Sequence, residues 1–472
     1  MAELGILISL ALLIYFAYRG FSVLYIAPIV AILAALSQGL SPMPAYTELF
    51  LGKAVGYFKS YFPVFILGAM FGKVFEATGM AESIAKYIIK SMGKGKYKAV
   101  VAVAIAGMVL TYGGVNAMVA IFAIYPFASV LFREVDVPKR LLPAVVLLSV
   151  GTITMDAFPG TPQVQNIIPT KYFGTDTFAA PITGTICGLL IVLLCFLWFK
   201  HRIQQAEAAG EGYGTGHINE IDATTERNPI DWRLSILPLL AVLIINFFMT
   251  KVFTWDPNIL EPFKNMSLPL MAASVSSISA IWSLIIAEIC GIILAICIGY
   301  KNMRGVDNMS KALNAGAIGS LVAVMNVVSE VGYGNVIAAL PGFKSISNFL
   351  LNIQMGNSPL LSEAVTVNVL AGITGSASGG MAIALDIMGK HWLAMANAIG
   401  MSPEILHRIA SLASGGMDDL PHNGAVITIL LICGLTHRQA YKDMFAVVVA
   451  KTLVAFLAIG VYYLVHSVTG LV

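Results

Sequence analysis

Two short stretches decide how this chain is read: SVGTITMDAFP at 149–159 and SLASGGMDDLP at 411–421, 262 residues apart. Each lies inside a long apolar run and interrupts it with Gly, Thr or Ser, then a Met-Asp pair and a proline. Proline removes a helix hydrogen bond and glycine loosens the backbone, so the runs 139–169 and 402–434 read as interrupted helices. The correspondence extends outward. Gly113-Gly114 and Gly379-Gly380 stand 266 residues apart, and Pro138 and Pro403, which open the two broken segments, stand 265 apart. A pattern that recurs at offsets of 262 to 266 marks two copies of one unit.

The rest of the composition says what surrounds those breaks. Of 472 residues, 58% are hydrophobic and 11% charged, with a mean hydropathy of +0.84. A soluble domain carries roughly 25% charged residues. So few charges exclude a cytosolic enzyme, a nucleic-acid binder and a secreted disulfide scaffold, and leave an all-α polytopic membrane protein. The formal charge of +3 is too small to imply a nucleic-acid or acidic partner. Cys187, Cys195, Cys290, Cys297 and Cys433 all sit in apolar runs without a C-x-x-C pair, so they read as small core hydrophobes rather than metal or disulfide ligands. The N-terminus lacks the basic start of a signal peptide and reads as a retained first span.

Span-length apolar runs cover 3–18, 22–39, 57–79, 139–169, 180–199, 233–250, 271–299, 313–340, 402–434 and 443–466. Between them the basic residues alternate in density. Arg19, the cluster Lys86–Lys98, Arg133, Lys139, Arg140, Lys200, Arg202, Arg227, Arg233, Lys301, Arg304, Lys311, Arg438 and Lys442 fall on one side, 18 of the 28 Lys+Arg, and Arg408 is among eight on the other. Taking the richer side as cytoplasmic puts both termini outside. It also makes 200–232 (Gly-, Glu- and Thr-rich) a cytoplasmic tether between halves 1–199 and 233–472. Lys73 and Lys451 fall inside spans and are expected to snorkel toward an interface.

Residues 99–132 and 364–389 do not fit one span each. The first holds 34 residues without a charge, about 51 Å as a single helix against a hydrocarbon core of about 30 Å. Basic clusters flank both ends. Two short full spans satisfy this; the preferred alternative is a re-entrant hairpin with its tip at Thr111–Asn116. The second stretch behaves likewise, with its tip at Thr374–Gly380, and with Glu363 and Lys390-His391 at outer ends. Each half then has five crossings plus one hairpin, an odd number of spans that inverts the second half. Inverted halves, each with a hairpin and a broken helix, are a secondary-transporter arrangement.

Such breaks leave unpaired N–H and C=O groups that bind anions and cations near the midplane without a buried arginine. A bound anion would therefore meet Gly113, Gly114 and Asn116 at the first tip, and Ser376, Ser378 and Gly379 at the second. Facing them would lie Thr152, Thr154, Thr161 and Gln163, with Ser414, His422 and Asn423 from the second half. The alternative role for tip Gly and Ser is close helix packing. Intramembrane acids by default mark ion coupling: Asp156, Glu330, Asp418 and Asp419 are the coupling candidates, with Glu288 and Asp386 also inside spans. For Asp156 and Asp418, capping of the restarting helix is the competing role. No H-E-x-x-H, G-x-S-x-G or P-loop pattern is present, so neither an enzyme nor an ATP-driven pump is indicated, and no metal or organic cofactor is expected.

Over essentially its whole length the chain resembles the gluconate permease (GntP) family of the ion transporter superfamily. The likeness is carried by Gly72–Gly79 (GKVFEATG), the two hairpins, the Gly375–Ser378 tip and the Pro421-His422-Asn423 segment. The resemblance implies a proton-coupled symporter of small hydroxy-carboxylates in the cell (inner) membrane. It also implies a homodimer and an elevator-type movement of a hairpin-bearing domain. Gluconate members carry a His- and Pro-rich segment in the first broken helix, where this chain has MDAFPGTPQVQN (155–166). That segment looks like the D-β-hydroxybutyrate permease subgroup, which implies a 3-hydroxybutyrate-like monocarboxylate. Gluconate or another organic acid, and Na⁺/H⁺ antiport with Na⁺ on the acids, are the alternatives.

Overall fold

The computed structural model describes residues 2–469 except 20, 94, 116, 218–229, 273, 277, 304, 344, 346–352, 354–356 and 422. Every regular element among the described residues is a helix. In chain order the longer ones are α1 (Ala2–Tyr18), α2 (Val23–Leu36), α3 (Pro42–Thr78), α4 (Met80–Ser91), α5 (Lys96–Tyr112), α6 (Ala117–Glu134), α7 (Leu142–Val150), α8 (Val164–Phe173) and α9 (Pro181–Ala208). They continue with α10 (Trp232–Val252), α11 (Ser279–Met303), α12 (Val306–Ala339), α13 (Leu360–Thr374), α14 (Ala377–Ala398), α15 (Pro403–Ser414), α16 (Gly424–Cys433) and α17 (His437–Thr469). Six of them, α3, α9, α10, α11, α12 and α17, are long and apolar enough to cross a membrane.

Local chemistry sets the boundaries that matter. The interrupted stretches are interrupted where the sequence expects. α7 stops at Gly151, a single turn covers Ile153–Asp156, and α8 restarts after Gln163. α15 opens on Ser402, whose side chain accepts from Glu404 N–H, with Pro403 at the first helical position, and stops at Gly415. α16 opens on Asn423, whose side-chain oxygen accepts from the N–H groups of Ala425 and Val426. Both awkward stretches are helix–turn–helix pairs, α5/α6 and α13/α14, whose arms pack on each other.

The helices sort into two packed groups. In one, α3 lies against α11 and α12, with α10 on α11 and α2 on α12. In the other, the two helix pairs surround the broken segments α7/α8 and α15/α16, and α9 and α17 pack together behind them. The groups meet chiefly along α12 and α14.

Two expectations change. The span expected at 57–79 begins much earlier, because α3 runs on from Pro42. The stretch expected as a tether is ordered in its first part: α9 stays helical to Ala208, and the loop after it is docked. Arg140 donates from Nε and Nη2 to the two oxygens of Glu211 at 2.6 and 2.8 Å, and from Nη1 to Asp443 at 2.8 Å. Asp443, 1% exposed, also accepts from Arg202 Nε at 2.6 Å and from Trp198 Nε1 at 3.1 Å. Tyr213 N–H bonds Asp136 at 2.7 Å. These charges replace water for one another, which flexible Gly-rich composition does not reveal. The Arg140 fork holds the Glu211 carboxyl below the usual carboxylate range.

Candidate functional site

A cavity of about 900 Å³ opens where the two packed groups meet. Its wall takes Thr374–Ser378 from the second hairpin tip, Ala117 and Ile121 from α6, and Gly151, Met155 and Gln165 from the first break. The second break adds Asp418, Asp419, Pro421, Asn423 and Gly424, and α12 adds Asn326 and Glu330. Both breaks and the second hairpin therefore line one space.

Each break is also held by the other. Ser411 Oγ donates to Asp156 O at 2.7 Å, and Asn368 Nδ2 of α13 donates to Ala413 O at 3.1 Å. A Cβ on Gly415 would overlap the carboxylate of Asp156, so only glycine lets the two breaks cross this closely. Asn423 Nδ2 donates to Gly375 O at 3.0 Å and to Asp418 O at 2.9 Å, which ties the hairpin tip to the second break.

The candidate residues divide by where they point. Ser376, Ser378, Asn423, Glu330, Asp418 and Asp419 line the cavity. Ser376 caps α14, accepting from Gly379 N–H at 3.1 Å. Gly379 lies behind the wall against Glu330. Asn116 and His422 lie outside the described residues. The remaining candidates turn into packing rather than into the cavity. Gly113 backs onto Leu239 of α10, and Gly114 onto Pro162 and Phe71. Thr152 Oγ1 donates back to Leu148 O at 2.6 Å, and Thr154 shares a 2.6 Å hydrogen bond with Thr111. Gln163 Nε2 donates to Thr111 O at 2.7 Å, so it pins the first tip to the break. Ser414 Oγ donates to Ser411 O at 2.7 Å. Thr161 is fully buried away from the cavity. Asp156 is 2% exposed and lies off the wall, one residue from Met155, which is on it.

The cations contradict the sequence expectation most directly. Lys451 does not snorkel. It is 1% exposed, and its Nζ donates to Asp419 Oδ2 at 2.7 Å, to Asp418 Oδ1 at 3.2 Å and to Gly151 O at 3.1 Å. One ammonium thus bridges the acid pair of the second break and an open carbonyl of the first, so a buried lysine rather than a helix end neutralises those acids. The two carboxylates side by side demand it. Arg408, expected on the outer side, is fully buried and donates to Ala179 O at 2.7 Å and Asn166 Oδ1 at 3.1 Å. Glu363, placed at an outer end, is fully buried, and neither of its carboxylate oxygens has a partner among the described residues. A charge inside an apolar span was the available signal for Lys451 and Arg408, since such residues by default face a protein interior. Gln165 and Asn326, both with an unpartnered side-chain oxygen at the cavity, carried no signal beyond polarity.

Apolar helices, two interrupted helices and a cavity that carries acids, hydroxyls and amides between packed groups are the build of a multi-pass membrane transporter. Residues 1–405 match the GntP family permease family, and the chain belongs to it. Over 99% of both chains it is 44% identical to a Bacillus subtilis (strain 168) protein described as uncharacterized transporter YxjC. An uncharacterized transporter of Haemophilus influenzae is 25% identical, covering 82% of this chain and 79% of its own. Two solved structures share the fold. The Alcanivorax borkumensis YdaH transporter superposes with a TM-score of 0.55 at 18% identity, covering 89% of this chain and 88% of its own. Neisseria gonorrhoeae MtrF, described among antimetabolite efflux pumps, gives 0.56 at 13% identity, covering 92% and 94%.

Proposed function

We propose that this permease carries a small hydroxy-monocarboxylate of the 3-hydroxybutyrate type across the cell membrane together with protons. The observation that carries the proposal is the shared cavity: hairpin-tip hydroxyls and helix-start amides at Ser376–Ser378 and Asn423 face acids at Glu330, Asp418 and Asp419. Amides and hydroxyls suit a carboxylate and a hydroxyl of one small molecule. The acids would otherwise repel that anion, and proton uptake relieves the repulsion, which supports symport with H⁺. The choice of a 3-hydroxy acid rests on the 155–166 segment.

The two halves, 1–199 and 233–472, are proposed as inverted repeats joined through 200–232. The group holding both hairpins is proposed to move against the group built on α3 and α12, with a homodimer as the working assembly. The cavity reaches Phe21–Val23 and His437. These positions lie beside Arg19 and Arg438, so a basic-inside orientation makes this an inward-facing state. The test is uptake of labelled 3-hydroxybutyrate into proteoliposomes under an inward-directed proton gradient. Accumulation abolished by a protonophore supports the proposal; accumulation of gluconate or citrate instead rejects the substrate, and accumulation insensitive to the proton gradient rejects the coupling.

A further inference from the structure

We infer that Glu330 and the carboxylate of the transported anion occupy the same place by turns, the start of α14 at the second hairpin tip, so that the anion can settle there only when Glu330 carries a proton. The inference rests on the transport proposal and deepens it, by naming the group that links proton to anion and the position they contest.

Glu330 is 3% exposed, lies on the cavity wall, and its Oε2 has no hydrogen-bond partner among the described residues. A Cβ on Gly379 would overlap that oxygen, so the carboxyl rests on the first turn of the 22-residue helix α14. A helix start presents four N–H groups without an intrahelical acceptor. Two of them are served: Ser376 N–H donates to Ala371 O at 3.2 Å, and Gly379 N–H to Ser376 Oγ at 3.1 Å. Ala377 and Ser378, both on the cavity wall, are the two left without an acceptor among the described residues. The tip therefore holds open anion-binding donors, and the protein's own buried carboxyl already lies against the same turn without bonding to them.

Two negative charges on that turn repel each other strongly, because the buried carboxyl is only weakly screened. A proton on Glu330 removes one charge, and the incoming carboxylate takes the Ala377 and Ser378 amides. Loss of that proton on the other side restores the repulsion and expels the anion. No bond is made or broken except the O–H of Glu330. The other titratable groups facing this point leave the role to Glu330. From α3 comes Tyr57, while Glu48 before it is exposed. Tyr25 of α2 is exposed. Glu288 of α11 lies against Gly68 instead. Asp386 of α14 is about 10 Å along the helix and bonds Tyr172. Asp418 and Asp419 of the second break are closed by Lys451, and His437 at the mouth bonds Pro421 O at 2.9 Å.

The experiment measures anion binding and proton uptake together on purified full-length protein. Calorimetry from pH 5.5 to 8.5 is run against 3-hydroxybutyrate, gluconate and citrate, with a pH indicator in weak buffer. Wild type is expected to bind one of these with affinity falling about tenfold per pH unit on the alkaline side, and to take up one proton per anion there. Glu330→Gln is expected to bind the same anion with less than twofold change across the range and no proton uptake. It should exchange the anion across liposomes but fail to accumulate it on a pH gradient. Gly379→Ala, which pushes the carboxyl off the turn, should flatten the pH dependence even if the glutamine variant does not fold. Retained one-for-one proton uptake in either folded variant overturns the inference. So does loss of all binding in folded Glu330→Gln. If wild type binds none of the anions, the transport proposal itself falls and takes this with it; if wild type binds but without proton linkage, this inference and the coupling fall while the anion site stands.

Discussion

Replacing Lys451 by methionine isolates the most consequential contact in the structure. The substitution keeps an unbranched apolar stem of similar length and removes only the ammonium. It leaves Asp418 and Asp419, 7% and 3% exposed, side by side with no cation and Gly151 O without its donor. Removing one partner of a buried pair costs about 3–5 kcal/mol, or roughly two to three and a half powers of ten in the folding equilibrium. Most of that cost is uncompensated charge. It should be largely recovered when Asp418→Asn and Asp419→Asn accompany Lys451→Met, since the non-additivity reports the interaction itself. The assay is a denaturant titration of purified protein in mild detergent at pH 5.5 and 8. A single variant within about 1 kcal/mol of wild type, or a triple variant no better than the single, would refute the argument that this lysine is a structural counter-charge.

Other outcomes follow from the same kind of reasoning. Asp443→Ala, which takes the acceptor from Arg140 Nη1, Arg202 Nε and Trp198 Nε1, should destabilise by about 3 kcal/mol in that titration. Glu211→Gln should cost less than about 1 kcal/mol, because that ion pair is partly exposed. Arg140 depresses the Glu211 carboxyl, so its contribution is present above the unfolded-state value and lost as pH falls through the lower folded value; wild type and Glu211→Gln should converge in acid, and a constant gap would contradict this. Gly415→Ala forces a methyl into the Asp156 carboxylate and should cost about 1–3 kcal/mol, with transport lost as the two breaks separate; normal uptake would mean they do not need to touch. Asn423→Ala removes a helix cap and the tie to Gly375, and should cost about 1–2 kcal/mol and weaken anion binding, read by calorimetry.

Much of this architecture is legible in the sequence because backbone chemistry writes it locally. Pro138, Gly151 and Pro159 announce one interrupted helix, and Pro403, Gly415 and Pro421 the other; apolar stretches that do not fit one span, broken by Gly113-Gly114 and Gly379-Gly380, betray the two helix pairs. The cavity side of the second tip is legible for the same reason, since Ser376 and Ser378 sit where a helix must start. What the sequence hides is partnership. Thr152, Thr154 and Gln163 have the right chemistry for a ligand site, but their hydroxyls and amide are taken by Leu148, Thr111 and the first tip, contacts that depend on which helices cross. Lys451 sits 32 and 33 residues from Asp419 and Asp418, and no helical periodicity connects them. Gly379 reads as a tip amide, whereas its importance in the structure is the space it leaves for Glu330, a residue 49 positions earlier.

The central claim is that the hairpin tip and the second break bound the place where the anion sits. It is tested most directly by placing a single cysteine at Ser378 in a background without the native cysteines, and measuring its labelling by a thiol reagent with and without 3-hydroxybutyrate, gluconate and citrate. The account predicts that the anion the protein transports slows labelling in a concentration-dependent way, while a cysteine at the lipid-exposed Leu453 position labels at an unchanged rate. Labelling at 378 that ignores every transported anion would contradict it.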